Sequence, residues 1–232
     1  MISENLKDVH NRIDAAELRA NRNAGSAKLI AVTKTKPVSD LMEAYQAGER
    51  DFGENKVQEM LEKQEQLPKD IRWHLIGHLQ TNKVKYVVGN VFLIHSVDSL
   101  RLAEEISKVA VKKNVTADIL IEVNAANEES KFGTALEETL SLVENIAKLP
   151  NISIKGLMTI APFTEDAESN RKYFRALKEL SVDITRKNVD NVSMDILSMG
   201  MTGDYEVAVE EGASYVRVGT GIFGMRRLSI SE

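Results

Sequence analysis

Several features are missing from this 232-residue sequence, and each absence excludes a class of protein. There is no cysteine, which excludes disulfides, cysteine-bound zinc and thiol nucleophiles. No stretch approaches the ~20 consecutive apolar residues of a membrane-spanning helix. Residues 1–23 also lack the apolar segment of a secretory signal peptide. We therefore expect a cytoplasmic protein with no membrane partner.

An excess of positive charge is missing as well. The formal net charge is −5, whereas sequence-independent binding of nucleic acid depends on a basic surface. We expect no nucleic-acid partner, although a local site for a small anion is compatible with this charge. The hydrophobic and charged fractions, 43% and 28%, are ordinary for a globular protein.

The chain begins with an amphipathic pattern. Ile2, Leu6, Val9, Ile13 and Ala16 follow one another at spacings of four and three, which predicts a helix with one apolar face. Its polar face mixes both signs of charge, and no tryptophan or phenylalanine is available as a membrane anchor. We expect this helix to pack against the body of the domain.

From Leu29 onward, short apolar runs typical of strands alternate with longer helical segments. The eight runs are residues 29–33, 50–53, 72–77, 91–95, 117–123, 153–160, 194–200 and 214–219. Strict alternation predicts a parallel sheet, and eight such units in a chain of this length predict a single (β/α)8 TIM barrel with an extra N-terminal helix. An open, doubly wound sheet is the alternative. No linker divides the chain, so we interpret residues 1–232 as one α/β domain.

A glycine triplet near the C-terminus, Gly219, Gly221 and Gly224, has the G-x-G-x-x-G spacing of a dinucleotide-binding loop. A dinucleotide fold requires a helix, a second strand and an acidic residue after the glycines, and only eight residues follow Gly224. We therefore expect no dinucleotide. Glycine-rich backbone after a strand still allows close approach of a phosphate.

The predicted barrel gives this phosphate a location. In such barrels, phosphate commonly binds at the loops after strands seven and eight, which are LSMGMTGD and VGTGIFG here. The candidate phosphate ligands in these loops are Ser198, Gly200, Thr202, Gly219 and Thr220. Their glycines would otherwise be ordinary turn residues, but two such loops on adjacent strands favour an anion site.

Two lysines, Lys34 and Lys36, follow the first strand, where a barrel presents its chemistry. Partial burial lowers the pKa of a strand-end lysine and allows its amine to form a Schiff base with a carbonyl compound. Together with a phosphate site, this indicates either pyridoxal 5′-phosphate or a sugar-phosphate substrate of an aldolase. The two lysines share a face, so strand parity does not choose between them. Arg217 in the last strand would either form an internal ion pair or face a ring nitrogen.

Six segments, taken together, resemble the pyridoxal phosphate homeostasis protein family. In chain order they are LIAVTKTKP, DFGENKVQE, WHLIGHLQTNK, NAANEESKFG, GLMTI and LSMGMTGDYEVAVEEGASYVRVGTGIFG. The resemblance implies a fold similar to the barrel domain of fold-type III alanine racemases. It also implies binding of pyridoxal phosphate without established turnover, and a part in intracellular vitamin B6 homeostasis and amino-acid balance.

The resemblance also implies roles for individual residues. Lys34 would carry the cofactor, Asn55 would lie near it and Arg217 would face the pyridine nitrogen. An arginine there keeps the nitrogen unprotonated and makes the cofactor a poorer electron sink. The remaining residues implied at the cofactor are Ser198, Gly219 and Thr220 for the phosphate, and Met199 and Gly200 as lining.

Other polar residues receive structural interpretations. His74 and His78 lie in a strand and loop without a following acid, so we expect structural histidines rather than a metal pair. Asp98 is a candidate N-cap, and Thr134 with Glu137 has the spacing of a capping box. Glu122 and Glu128 are interpreted, like most strand-end carboxylates, as caps or surface ion pairs. We expect neither a metal site nor a Ser–His–Asp triad.

Three functions remain open at this point. The first is a non-catalytic protein that holds pyridoxal phosphate on Lys34 and exchanges it with the cellular pool or with apo-enzymes. The resemblance favours this function, and it favours a monomer. The second is a racemase-like enzyme, although such racemases use an additional β domain for their second base and this chain ends after the barrel. The third is a Schiff-base aldolase that uses Lys34 or Lys36.

Overall fold

The computed structural model describes residues 1–129 and 131–225, in which eight parallel strands close into a barrel. The strands are β1 (Lys28–Val32), β2 (Asp51–Glu54), β3 (Arg72–Leu75), β4 (Leu93–Val97), β5 (Ala117–Glu122), β6 (Ile152–Met158), β7 (Val192–Met201) and β8 (Tyr215–Val218). Each strand pairs with the next one in the chain, and β8 pairs with β1. The predicted TIM barrel is therefore confirmed, and the open sheet is excluded.

Helices cover the outside of the barrel. They are α1 (Ile2–Arg19), α2 (Val38–Gln46), α3 (Val57–Gln66), α4 (Val84–Val87), α5 (Leu100–Lys113), α6 (Leu136–Ile146), α7 (Arg171–Arg186), α8 (Tyr205–Glu210) and α9 (Thr220–Phe223). Short 3-10 turns at Thr81–Lys83 and Ala167–Asn170 precede α4 and α7. No helix in the described residues is long and apolar enough to cross a membrane.

The added N-terminal helix α1 packs as its pattern predicts. Leu6, Val9, Ile13 and Ala16 are buried, and the helix lies against α2, α8 and α9. Ion pairs join its exposed Arg19 to two glutamates of α8. The apolar stripe is therefore covered by the barrel's own helices, as expected for a helix of the domain body.

Two predicted helix starts are wrong in detail. The N-cap of α5 is Ser99, whose hydroxyl accepts from the Leu102 backbone N–H at 3.4 Å, and Asp98 lies one residue earlier. Thr134 does not cap α6, because its backbone N–H donates to Glu122 O at 2.9 Å in an extended bridge beside β5. This backbone pairing displaces the capping box, and α6 begins at Leu136 without a side-chain cap.

The barrel interior has an apolar sector and a polar sector. Side chains of five strands form the apolar sector, namely Ile30, Leu93, Leu120, Met158 and Tyr215. The polar sector, from β2 to β4 and from β7 to β8, consists of Asp51, His74, His95, Ser198 and Arg217, all of which are buried. Buried polar groups are stable only when they are hydrogen-bonded to one another, and these residues form such contacts below the C-terminal mouth.

Candidate functional site

A pocket of about 300 Å³ opens at the C-terminal ends of the strands, where barrels of this type carry their chemistry. Its lining combines an amine, an amide, a guanidinium, small residues and apolar side chains. These residues are Val32, Lys34, Asn55, Ile76, Ile160, Phe163, Met201, Thr202, Gly203, Arg217, Gly219 and Thr220. A concave site with apolar walls and a few convergent polar groups is typical of cofactor binding.

The structure separates the two lysines that the sequence left equivalent. Lys34 is exposed at the pocket rim, and its amine has no hydrogen bond or ion pair with any described residue. Lys36 Nζ donates instead to the backbone carbonyls of Phe223, Gly224 and Met225, at 2.8 to 3.2 Å. Thr35 between them has a left-handed backbone with φ of 64°, so the chain turns and the two amines have different surroundings. Of these two lysines, only Lys34 has an amine that no described residue engages.

A buried ion pair fixes the end of β1 from which Lys34 projects. Lys63 of α3 is buried and donates to Thr33 O at 2.7 Å, Glu54 Oε1 at 2.6 Å and Glu59 Oε1 at 2.7 Å. The Thr33 hydroxyl donates to the same Glu54 oxygen at 2.6 Å. Burial raises the pKa of Glu54, and the hydrogen bonds from Lys63 and Thr33 oppose this effect. Lys63 is not among the residues predicted from the sequence, although its spacing of three from Met60 places it on the apolar face of α3.

Asn55 follows β2 and is half-buried at the pocket wall, and its side chain makes no hydrogen bond to a described residue. The next strand end approaches it closely through Gly77. A Cβ atom on Gly77 would lie 2.5 Å from Asn55 O and 2.7 Å from Asn55 Cα. Glycine at 77 therefore permits the backbone contact that places Asn55 on the wall.

Arg217 forms the floor of the pocket. It is 4% exposed, and it donates from its two terminal nitrogens to Ser198 Oγ at 2.6 Å and to Thr159 O at 2.9 Å. Burial lowers the pKa of Arg217 to about 10, so the guanidinium is charged at neutral pH. No described carboxylate is hydrogen-bonded to it; Glu122 and Asp204 act only through their charge. Arg217 therefore does not form, with any described residue, the internal ion pair that was one of its two predicted roles; its partners are a hydroxyl and a carbonyl.

The loops after β7 and β8 form the end of the pocket with small residues. The hydroxyls of Thr202 and Thr220 lie 3.2 Å apart, and Gly219 approaches β1 so closely that a Cβ atom would lie 3.3 Å from Val32. The loop after β7 is closed by Asp204, which accepts from the Met201 N–H at 2.7 Å. The structure thus brings both predicted anion loops to one end of the pocket.

The residues of LSMGM lie behind this wall. Ser198 is fully buried, and its hydroxyl contacts Arg217 and also His95 Nδ1, at 2.9 Å. Met199 is fully buried in the large apolar core. Gly200 has a φ of 91°, and a Cβ atom there would lie 2.5 Å from Ala208 Cβ. Among the predicted cofactor residues, these three therefore do not line the pocket.

The other polar residues singled out in the sequence differ in how deeply they are buried. His74 is buried and hydrogen-bonded, whereas His78 is exposed and stacks on Phe132 with ring centroids 4.0 Å apart. Glu128 forms an ion pair with Lys131. The described residues contain no cluster of metal-binding side chains.

Glu122 differs from the surface carboxylate that its position at a strand end indicated. It is 6% exposed and makes no side-chain hydrogen bond or ion pair with a described residue. It lines a recess of about 160 Å³ that shares Ile160 with the pocket. Burial, and then the charge of Asp98, raises the pKa of Glu122 to about 7. This carboxylate lies beside the pocket with its hydrogen-bonding capacity unused by described groups.

A second cleft, of about 390 Å³, lies between α1, the turn before α7 and α8. Its basic residues Arg12 and Arg19 are already paired with glutamates, Arg12 with Glu206 and Arg19 with Glu206 and Glu210. This cleft, although larger than the pocket at the barrel mouth, is therefore lined by ion pairs that stabilise helix packing. The barrel mouth has the free amine, amide and carboxylate.

The chain is similar to known proteins in both sequence and fold. A model of the alanine racemase N-terminal domain family matches residues 5–227. A pyridoxal phosphate homeostasis protein of Aquifex aeolicus is 49% identical over 225 residues, which cover 97% of this chain and 98% of the relative. The chain belongs to the pyridoxal phosphate homeostasis protein family. The resemblance of the six sequence segments is thus confirmed over nearly the whole length.

Solved structures agree with this family membership. PipY of Synechococcus elongatus, solved with PLP bound, superimposes with a TM-score of 0.81 at 34% identity, covering 97% of this chain and 100% of PipY. An alanine racemase of Clostridium difficile superimposes with a TM-score of 0.76 at 16% identity, covering 97% of this chain and 58% of the racemase. The homeostasis family and the racemase therefore share the barrel fold.

Proposed function

We propose that this protein binds pyridoxal 5′-phosphate at the barrel mouth and holds it as a Schiff base on Lys34. The observation that carries the proposal is the free amine of Lys34 at a pocket whose floor is Arg217. Among described residues nothing competes for that amine, whereas three carbonyls hold Lys36. The PLP-bound structure of the relative PipY supports the identity of the cofactor.

The lining of the pocket fits the parts of this cofactor. Val32, Ile76 and Ile160 offer apolar surfaces for an aromatic ring, with Asn55 as a polar neighbour. The end of the pocket with small residues suits a phosphate, which backbone N–H groups and hydroxyls bind in many proteins. The residues that we assign to the phosphate are Thr202, Gly203, Gly219 and Thr220. Thr202 replaces Ser198 in this assignment, because the Ser198 hydroxyl is already engaged by Arg217 and His95.

The charge of Arg217 bears on how much catalysis to expect. A guanidinium donates hydrogen bonds and accepts none, so beside a pyridine nitrogen it favours the unprotonated ring. An unprotonated ring stabilises a carbanion poorly. We therefore infer a protein that stores and exchanges the cofactor, in keeping with its family, rather than one with robust turnover. A cytoplasmic location, a monomer of one domain (1–232) and transfer of cofactor to apo-enzymes are parts of this proposal.

One observation favours a second function, that of a racemase-like enzyme. A general acid or base works best when its pKa lies near the working pH, and Glu122, with a pKa of about 7, adjoins the pocket. Such an enzyme would exchange the Cα hydrogen of an amino acid with solvent deuterium. Absence of exchange for all common amino acids would remove this function. Family membership gives no support to the aldolase; trapping of a sugar phosphate by borohydride on colourless protein would revive it.

The proposal is tested by visible absorption and by borohydride reduction of purified protein incubated with pyridoxal phosphate. We expect a visible absorption band at wavelengths longer than those of the protein's own absorption. After reduction, we expect the cofactor on the peptide that contains Lys34. Lys34→Ala should abolish both signals, and the matched control Lys36→Ala should retain both. A wild-type protein that stays colourless would contradict the assignment. So would a reduced cofactor that is lost in Lys36→Ala and retained in Lys34→Ala.

A further inference from the structure

A chain of hydrogen bonds crosses the barrel interior from its N-terminal end to the floor of the pocket. His74 Nε2 lies 2.9 Å from Asp51 Oδ1, and His74 Nδ1 lies 2.9 Å from His95 Nε2. His95 Nδ1 lies 2.9 Å from Ser198 Oγ, which accepts from Arg217 at 2.6 Å. All five residues are buried, with exposed fractions of 0 to 6%. The four contacts are therefore shielded from solvent.

The Asp51 end of this chain sets the direction of every hydrogen bond. Burial by itself would raise the pKa of Asp51, but hydrogen bonds from His74 and Arg72 lower it to about 2, so the carboxylate is ionised and accepts only. His74 must then donate from Nε2. A neutral His74 accepts at Nδ1, and consequently His95 donates from Nε2 and accepts at Nδ1.

The last step concerns the serine. Because His95 accepts at Nδ1, the Ser198 hydroxyl proton points to that nitrogen, and the oxygen lone pairs remain for Arg217. A guanidinium can only donate, so Arg217 must donate to Ser198. This direction agrees with the one that follows from Asp51, which must accept from His74. Both ends therefore favour the same direction for all four bonds.

Neutral histidines are consistent with the groups that face them. Burial lowers the pKa of His74, although Asp51 opposes this effect, and Arg72 adds to it. Burial, followed by the proximity of His74 and the charge of Arg217, lowers the pKa of His95 well below its ordinary value. Tyr215 also lies beside both rings, and burial raises its pKa to about 12, so it is uncharged.

We propose that Asp51, His74, His95 and Ser198 are positioning residues that orient Arg217 toward the pocket through a one-directional relay of hydrogen bonds. In this relay both histidines carry their proton on Nε2. The role of Arg217 beside a bound cofactor rests on the proposed function, whereas the direction of the relay does not. The relay holds the arginine with neutral acceptors, so its charge remains available to a ligand. The interiors of such barrels are dominated by branched apolar residues, and a set of buried polar residues in their place calls for a role.

The direction of the relay is tested by nitrogen-15 NMR of the histidine rings in the cofactor-free protein. The chain has four histidines, and the exposed His78 serves as an internal control. We expect His74 and His95 to be protonated on Nε2 only and to show no titration between about pH 5 and pH 8, the range in which histidine side chains most often change charge. A proton on Nδ1 of His95, or a charged His74 ring at neutral pH, would overturn the proposed direction.

The positioning role is tested by a pair of variants at one site. His95→Leu removes both hydrogen bonds of the ring, and we expect about a tenfold weaker affinity for pyridoxal phosphate and a changed pH dependence of the visible band, since the loss of neutral hydrogen bonds has about this effect. In His95→Gln the amide accepts from Ser198 and donates to His74, so we expect affinity and pH dependence to return toward wild type. Wild-type binding and spectrum in His95→Leu would refute the positioning role.

The two experiments keep the relay and the proposed function apart. If wild-type protein binds no cofactor while the histidines show the expected protonation, the proposed function fails and the relay stands. If the variants fail to fold, Asp51→Leu, whose side chain has no acceptor for His74 Nε2, tests the same hydrogen bonds from their other end in place of His95→Leu, with the same expected loss of affinity. Unchanged histidine protonation and unchanged binding in Asp51→Leu would count against the relay.

Discussion

The polar side chains at the two ends of the barrel differ in whether they are hydrogen-bonded to other described residues. At the N-terminal end, Asp51 is hydrogen-bonded to both Arg72 and His74. At the C-terminal mouth, the side chains of Lys34, Asn55 and Glu122 make no hydrogen bond or ion pair with the described residues. Polar groups at the closed end satisfy one another and stabilise the fold, whereas those at the mouth keep their hydrogen-bonding capacity for a ligand.

Lys63 shows that position alone does not decide this difference. It lies near the mouth, beside the strand end that carries Lys34, and yet it is buried among Glu54, Glu59 and Thr33 O. A satisfied lysine and a free lysine thus occur within one corner of the barrel. The satisfied one fixes the backbone, and the free one is available for chemistry.

The largest expected effect comes from Lys63→Met. Removing one partner of a buried ion pair leaves carboxylates without compensation, and the free energy of unfolding should fall by about 3–5 kcal/mol. The same substitution at the exposed Lys34 should change it by no more than about 0.5 kcal/mol. Urea denaturation of both variants measures the contrast. Equal small losses would show that Lys63 is not the anchor of this strand end.

Glu122→Gln tests the unsatisfied carboxylate at the mouth. The folded state raises the pKa of Glu122 to about 7, so its contribution to stability is present below the unfolded pKa, near 4.5, and is lost as the pH rises through 7. The shift corresponds to about 3 kcal/mol. Near pH 8, the free energy of unfolding of Glu122→Gln should be about 3 kcal/mol higher than that of wild type. Near pH 4.5, the two free energies of unfolding should be equal.

Denaturation at the two pH values provides the measurement. A variant that is no more stable than wild type near pH 8 would indicate that Glu122 has a partner in solution, and the contrast between the two ends would then be weaker than the structure indicates.

Asp51→Asn tests the satisfied carboxylate at the closed end. The folded pKa of Asp51, about 2, lies below its ordinary value of 3.8, so its contribution is present above the unfolded pKa and is lost as the pH falls from about 4 to 2. We expect the variant to lose about 2 kcal/mol at neutral pH and to show a flatter acid limb of the stability curve. The exposed Asp70, changed to asparagine, should alter the curve much less. Identical acid limbs in wild type and Asp51→Asn would contradict the pairing.

The smallest expected effect concerns Lys36. Its amine joins the turn after β1 to the backbone carbonyls at the end of α9, and hydrogen bonds of this kind contribute about 1 kcal/mol in total when partly exposed. Lys36→Met should therefore lower the free energy of unfolding by about this amount, slightly more than Lys34→Met. If Lys34→Met proves the more destabilising of the two, the amine of Lys34 has a structural partner.

Much of the fold was predictable from local patterns. The alternation of apolar runs and helical segments predicted eight strand–helix units, because a strand and a helix have different apolar periods. The amphipathic spacing of α1 predicted its buried face. The helix caps at Asp98 and Thr134 were wrong, since backbone hydrogen bonds to a neighbouring strand competed with the local signal at Thr134, and Ser99 took the cap one residue after Asp98.

The candidate site was predictable only in part. The position at a strand end indicated that Lys34 lies at the mouth, the family resemblance implied Asn55 and Arg217 at the cofactor, and the glycine-rich loops indicated the end of the pocket. Whether Lys36 is engaged, or whether Ser198 reaches a ligand, depends on partners that lie far along the chain. Such contacts leave no pattern within a short window of sequence.

The amino-acid sequence by itself determined the barrel, its added helix, the family and the strand ends at which the chemistry lies, because periodicity and short motifs are properties of neighbouring residues. The tertiary structure alone decided which lysine is free, that Ser198 holds Arg217 rather than lining the pocket, and that Glu122 is buried without a described partner. The reason is that closing the barrel brings together residues from strands that are distant in the chain. The protonation and availability of a side chain follow from those neighbours.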